Sequence, residues 1–230
     1  MLVILPFEKE FYKKWNYEVE YVGHPLADVI ENFKKDHAGI KVSETTIALL
    51  PGSRKQEIKA KLPVMLSASK KFPGYQFIIA KAPSIDDDFY EQFIGEYENV
   101  KTISNETYSL LMKSVAALVT SGTATLETAL FGVPEIVCYR ASNISYQIAK
   151  RLVKLKFISL VNLIMDKEVV KELIQNDLTP EKITIELKKI LFDQERKDQM
   201  KKDYTALKKW LSEGGNASQN AARSIYDFVS

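Results

Sequence analysis

Apolar and polar positions along the 230-residue chain alternate between two rhythms. Short runs rich in apolar and β-branched residues, at Thr45–Leu50, Tyr75–Ala80, Val100–Ile103, Val115–Val119 and Glu135–Tyr139, read as strands. Between them lie helical runs over Arg54–Phe72, Asp87–Tyr97, Asn105–Lys113 and from Thr123 to the stop at Gly132-Val133-Pro134. That order predicts βαβ units and an α/β fold, a Rossmann-like parallel sheet. Right-handed crossovers would gather the loops that follow the strands on one sheet edge. Pro63 is expected to kink or divide the first long helix. From Thr179 onward the pattern predicts a charged helical tail, with Gly214-Gly215 before a last helix at Asn216–Val229 whose Ala217, Ala221, Ile225 and Phe228 form one stripe.

Two of the loops combine special chemistry with this placement. In LPGSR, Leu50 to Arg54, Gly52 permits a tight turn, and Ser53 with Gln56 fits a capping box. Arg54 and Lys55 then oppose the helix macrodipole, a conflict that an anionic ligand at the helix start would remove. In SGTATLE, Ser121 to Glu127, the residues Ser121, Gly122 and Thr123 offer hydroxyls and bare backbone N–H groups at a second helix start. Glu127 falls one position too late for a capping box on Thr123. It is either an acid that the positive helix end tolerates or a carboxylate that accepts two ribose hydroxyls. Further along, Asn162 sits between the strand-like Phe157 run and a helix expected near Asp166. There it is either a turn-forming residue or an amide within reach of a ligand. Gln175 and Glu172 are weaker candidates, expected on a helix surface. His24, before Pro25, reads as a helix cap.

These segments, in order, carry a family resemblance: ILPFE at Ile4 to Glu8, VGHPLAD at Val22 to Asp28, LPGSR with Glu57, SGTATLE, Gly132-Val133-Pro134 with Val137 and Tyr139, and FISLVNLI with KELIQ at Lys171 to Gln175. The chain resembles the carboxyl-terminal part of the lipid-A-disaccharide synthase family, GT-B type inverting glycosyltransferases. Val161 and Lys171 stand where that family commonly has proline. The resemblance implies three parts: residues 1–22 as a remnant of an amino-terminal domain and linker, 23–193 as the UDP-sugar-binding Rossmann-like domain, and 194–230 as a helical tail. It further implies transfer of 2,3-diacylglucosamine from UDP to 2,3-diacylglucosamine 1-phosphate. Arg54 would stabilise the leaving diphosphate; Gly52, Ser53, Ser121, Gly122, Thr123, Glu127, Asn162 and Gln175 would bind substrate. The base and the lipid acceptor surface would belong to the amino-terminal domain, so the chain alone is expected to be inactive. No cofactor and no metal is implied. The alternatives are an enzyme like UDP-N-acetylglucosamine 2-epimerase, which shares the architecture, or a non-catalytic nucleotide-binding fragment.

Composition narrows the picture further. The balance of 32 basic and 30 acidic residues gives no global field for nucleic acid. A single cysteine, Cys138, rules out an intramolecular disulfide and suits a reducing cytoplasm. Two histidines, His24 and His37, cannot build a metal cluster or a triad by themselves. No apolar run approaches the ~20 residues of a spanning helix. Lys150, Arg151, Lys154 and Lys156 among apolar neighbours form one basic amphipathic stretch, read either as a solvated helix face or as a peripheral contact with the inner membrane.

Overall fold

The computed structural model describes residues 1–141 and 156–230, which divide into two compact units, 1–38 with 202–230, and 39–201. The first unit opens with β1 (Leu2–Val3), α1 (Glu8–Lys13), β2 (Glu20–Tyr21) and α2 (Pro25–Asp36). β1 and β2 pair in parallel. His24 caps α2 as expected: its Nδ1 accepts from Leu26 N at 3.3 Å, and Pro25 occupies the first turn, where its missing N–H is harmless.

The second unit is an α/β layer structure. Its strands are β3 (Thr46–Leu50), β4 (Gln76–Lys81), β5 (Val100–Ser104), β6 (Ala116–Thr120), β7 (Glu135–Tyr139) and β8 (Lys171–Ile174), all parallel, in the order β5-β4-β3-β6-β7-β8. The connecting helices are α3 (Lys55–Ser69), α4 (Asp87–Ile94), α5 (Thr107–Lys113), α6 (Thr123–Phe131), α7 (Leu160–Met165) and α8 (Pro180–Phe192). With helices on both faces, every residue of the central strands β3 and β6 is buried, which is why these strands are apolar without alternation. The stripe Ile58, Leu62, Met65 and Leu66 of α3 is fully buried, and α3 packs against α8. Each such side chain contributes ~1.5–3 kcal/mol relative to exposure.

The chain closes with α9 (Gln194–Ser212) and α10 (Ala217–Val229). Asn216 caps α10, its side chain accepting from Gln219 N at 2.9 Å. Of the expected α10 stripe only Ala217 is buried, while Ile225 and Phe228 are exposed.

The compact units are bounded at 38/39 and 201/202, beside the domain bounds of 22/23 and 193/194 that the resemblance implies. The reason is that α2 and the tail pack together: Lys208 pairs with Glu31 at 2.7 Å, and Asn220 donates to Val22 O at 3.1 Å. α3 runs unbroken through Pro63. The Phe157 run is not a strand, because Ser159 caps α7, and α7 ends at Asp166, whose φ of 47° is left-handed. KELIQ is no helix but supplies β8 and the start of a 3-10 turn.

Candidate functional site

β3 and β6 are neighbours, yet the chain visits β4 and β5 on one side before returning to β6 and continuing outward through β7 and β8. The junction of β3 and β6 is therefore the topological switch point of the sheet, where open α/β folds leave a crevice. Leu50 and Val119 are in register there, so the loops after the two strands emerge side by side.

After β3, Gly52 takes φ 117°, and a Cβ at this position would stand 2.7 Å from Glu57 Oε2. The expected capping box does not form. Arg54, extended at φ −113°, is the residue before the first turn, so Ser53 lies outside the helix and α3 has no side-chain cap. After β6, Gly122 at φ 137° and ψ −162° occupies a region essentially reserved for glycine. No side chain caps α6 either, so its first N–H groups have no side-chain acceptor. Ser121 does not face it freely, because its Oγ donates to Ile158 O at 2.8 Å.

A cavity of about 540 Å³ opens between the loops, lined by Gly52, Ser53, Arg54, Ser121, Gly122, Thr123 and Glu127 together with Glu57, Lys81, Pro83, Thr107 and Thr120. A larger depression of about 650 Å³ lies within the first unit along Lys9, Lys13, Tyr17 and Glu18. Among the described residues, no group of three or more His, Cys, Asp or Glu side chains is placed to hold a metal ion.

The charges in the 540 Å³ cavity are organised by three side chains that sequence reading passed over or left without a role. Glu57 lies between two cations: Arg54 Nη1 is 3.4 Å from its Oε1, and Lys61 Nζ is 3.8 Å from its Oε2. Arg54 is 81% exposed and free to swing toward a ligand, whereas the Lys61 side chain is only 2% exposed. Lys61 also donates to Thr120 Oγ1, at the end of β6. Burial holds the Lys61 ammonium below the usual lysine range, against the opposing pull of Glu57. The sequence signal for Lys61 was present, since it falls between Ile58 and Leu62 on the apolar stripe of α3. Tyr108 is the third: its hydroxyl donates to Glu127 Oε1 at 3.0 Å. Desolvation raises the Glu127 carboxyl above its ordinary value, and the tyrosine bond partly offsets this.

Two expected binding residues are committed elsewhere. Asn162 is fully buried; its Nδ2 donates to Val170 O and Glu172 Oε1, each at 2.9 Å, and its Oδ1 accepts from Val169 N at 2.8 Å and Val170 N at 2.9 Å. All four positions of the amide are used, so none remains for a ligand. Gln175 clamps Ala141 through its side-chain amide, accepting at 2.8 Å and donating at 3.1 Å. Glu172 accepts from Ile158 N and from Ser159 N and Oγ, so this carboxylate holds the turn onto which Ser121 is bonded. Of the basic amphipathic stretch, Lys150, Arg151 and Lys154 lie outside the described residues, and Lys156 pairs with Asp166 at 3.1 Å.

The fold is thus a Rossmann-like α/β unit of the GT-B type, with a crevice at its switch point. A solved UDP-GlcNAc 2-epimerase from Neisseria meningitidis, bound to UDP-GlcNAc, aligns over 95% of this chain and 59% of its own, with TM-score 0.62 and 15% identity. The family model for lipid-A-disaccharide synthetase matches residues 1–226. Lipid-A-disaccharide synthases from Syntrophus aciditrophicus and Trichlorobacter lovleyi are 38% and 36% identical over 98% and 100% of the chain. The chain belongs to the lipid-A-disaccharide synthase family, and it spans 62% of the length of these two relatives.

Proposed function

We propose that the switch-point cavity binds the UDP portion of UDP-2,3-diacylglucosamine and that this chain supplies the donor side of lipid-A-disaccharide synthesis. In that reaction 2,3-diacylglucosamine passes to the 6-hydroxyl of 2,3-diacylglucosamine 1-phosphate and UDP leaves. The observation that carries the reading is the convergence on one cavity of two helix starts without side-chain caps, with Arg54 on one and Glu127 on the other.

Each residue has a physical task in this reading. The N–H groups of Gly122 and Thr123 and the guanidinium of Arg54 meet the diphosphate, and both helix dipoles favour its negative charge. As the glycosidic bond breaks, charge grows on the UDP phosphates, and Arg54 is the mobile cation able to follow it. Glu127, oriented by Tyr108, accepts from the ribose hydroxyls through the oxygen that Tyr108 leaves free. Gly52 and Gly122 let the backbone approach the ligand, while Ser53 lies exposed at the rim as a further donor. Asn162, Glu172 and Gln175 hold the neighbouring turns. Family membership supports a lipid acceptor and a place at the cytoplasmic face of the inner membrane, where acylated substrates reside. Among the described residues no helix is long and apolar enough to cross a membrane.

Calorimetric titration with UDP, GDP and ADP tests the reading. UDP is expected to bind in preference to the other two, and equal or absent binding of all three contradicts it. Formation of labelled disaccharide from the two acylated substrates, by the full-length polypeptide, tests the assigned reaction.

A further inference from the structure

Lys61 is the one lysine among the described residues whose side chain is almost wholly buried, and it lies one layer beneath the cavity rather than in it. Its Nζ lies 3.6 Å from where a Cβ on Gly52 would stand, and it donates to Thr120 Oγ1; Gly52 and Thr120 both line the cavity, one from each loop. Burying an ammonium is costly unless it is well paired, and the pairing here is incomplete. Glu57 is the only carboxylate in ion-pair reach among the described residues, and Arg54 shares it. Two cations share the one carboxylate of Glu57, so this group of three side chains carries an excess positive charge. Thr120 accepts from the ammonium and donates to no acceptor among the described residues, which leaves its own proton for a ligand oxygen.

We propose that Lys61 is a positioning residue for the diphosphate: it ties α3, which the Gly52 loop opens, to Thr120 at the end of β6 and, through the Thr120 hydroxyl, projects its buried charge onto the phosphate oxygens. The inference rests on the UDP reading of the cavity. The groups facing Lys61 are Glu57 on its own helix, Thr120 at the end of β6 and Cys138 on β7. Burial pushes the Cys138 thiol up to about 12, so it stays neutral beside the lysine over the working pH range. Lys81 lines the same cavity but is paired with Asp87 at 2.5 Å. Because the free protein holds Lys61 below the ordinary lysine range, a bound diphosphate favours the ammonium and binding takes up protons at alkaline pH.

The test is calorimetric titration with UDP, inorganic pyrophosphate and uridine from neutral pH to about 10, the ordinary lysine range, in two buffers of different ionisation heat. The terminal phosphate of UDP is ionised throughout, since it titrates at ~6, whereas the uracil N3–H and the last proton of pyrophosphate are lost within this range, so the pH dependence is read as the difference between the unaltered protein and Lys61→Met. UDP and pyrophosphate affinity should fall with rising pH more steeply than in Lys61→Met, with proton uptake that this variant lacks, while uridine affinity follows the same pH course in both proteins. Lys61→Met keeps the apolar stem and removes the charge. It should weaken UDP at neutral pH on the order of tenfold, the equivalent of one pKa unit, abolish the proton uptake, leave uridine unaffected and fold at least as stably in urea. Thr120→Val, which keeps the lysine, should also weaken UDP and pyrophosphate but not uridine, and it carries the test should Lys61→Met fail to fold. UDP binding with the same affinity and the same proton uptake in the variants overturns the inference while leaving the UDP site standing. Absence of UDP binding by the unaltered protein overturns the site reading and the inference together.

Discussion

The Tyr108 hydroxyl donates to Glu127 Oε1 at 3.0 Å, joining α5 to α6 at the wall of the cavity. The bond fixes one carboxylate oxygen and leaves the other for a ligand hydroxyl. Desolvation raises the Glu127 carboxyl and the tyrosine bond lowers it, so the carboxylate form needed for ribose is lost as pH falls through a value above the ordinary one. Tyr108→Phe removes the lowering contribution. Its acid limb of UDP binding should move to higher pH, and affinity at neutral pH should fall by ~1.5–3 kcal/mol, the range for a hydrogen bond to a charged group. Titration calorimetry across pH 4–8 is the check, and an unmoved acid limb would contradict the account.

Gly52 and Gly122 should respond differently to the same substitution. A Cβ on Gly52 collides with Glu57 Oε2 at 2.7 Å, whereas one on Gly122 meets nothing within 4 Å. Gly122→Ala therefore carries only the strain of its φ, ~1–3 kcal/mol. Gly52→Ala carries comparable strain plus displacement of Glu57 from Arg54 and Lys61. Urea unfolding should find Gly52→Ala the less stable of the two; the reverse order would mean the Glu57 contact is not maintained in solution.

Asn162 should prove a stability residue. Asn162→Ala would leave the backbone N–H groups of Val169 and Val170 without their side-chain acceptor and remove a donor from the Val170 carbonyl and from Glu172. At ~1–3 kcal/mol for each buried group left unpaired, the loss should be several kcal/mol. Thermal unfolding measures it, and a variant that melts like the unaltered protein but no longer binds UDP would instead make Asn162 a ligand contact.

Glu135, at the start of β7, is fully buried and has no hydrogen-bond partner among the described residues. Burial raises its carboxyl well above the usual range. The folded state thus favours the proton more than the unfolded chain does. The resulting stability is fully present below the unfolded pKa of ~4.3 and is lost as pH rises through the folded value. Glu135→Met should stabilise the protein at pH 7 and flatten this pH dependence in urea unfolding. A neutral or destabilising effect at pH 7 would indicate a partner for the carboxylate.

Much of the fold was legible because local pattern and tertiary role agree in the central strands. Thr46–Leu50 and Ala116–Thr120 are buried on both faces, and buried parallel strands have a continuous apolar signature. The same reasoning failed at Phe157–Ile164, where a short apolar run fits strand and helix equally and the Ser159 cap decided for helix. β8 was missed because Lys171 and Glu172 mask a short edge strand. In the site, Arg54 and Glu127 were visible as charges misplaced or unexplained at helix starts. Tyr108 was not, since a tyrosine on a short helix gives no sign of the carboxylate that it meets across an interhelical contact. Asn162 and Gln175 were visible only as amides in motifs, and the sequence does not distinguish an amide that serves a ligand from one that, as here, bonds the backbone.

The central claim is that Arg54 addresses the diphosphate and Glu127 the ribose of one UDP molecule held at the β3–β6 junction. Parallel titrations of the unaltered protein, Arg54→Ala and Glu127→Ala with UDP and with uridine test it most directly. Arg54→Ala should weaken UDP by ~1.5–3 kcal/mol, as for the loss of charge-assisted hydrogen bonds, and leave uridine nearly unchanged, while Glu127→Ala should weaken both ligands alike. Equal weakening of uridine by the two substitutions, or UDP binding that neither substitution alters, would contradict it.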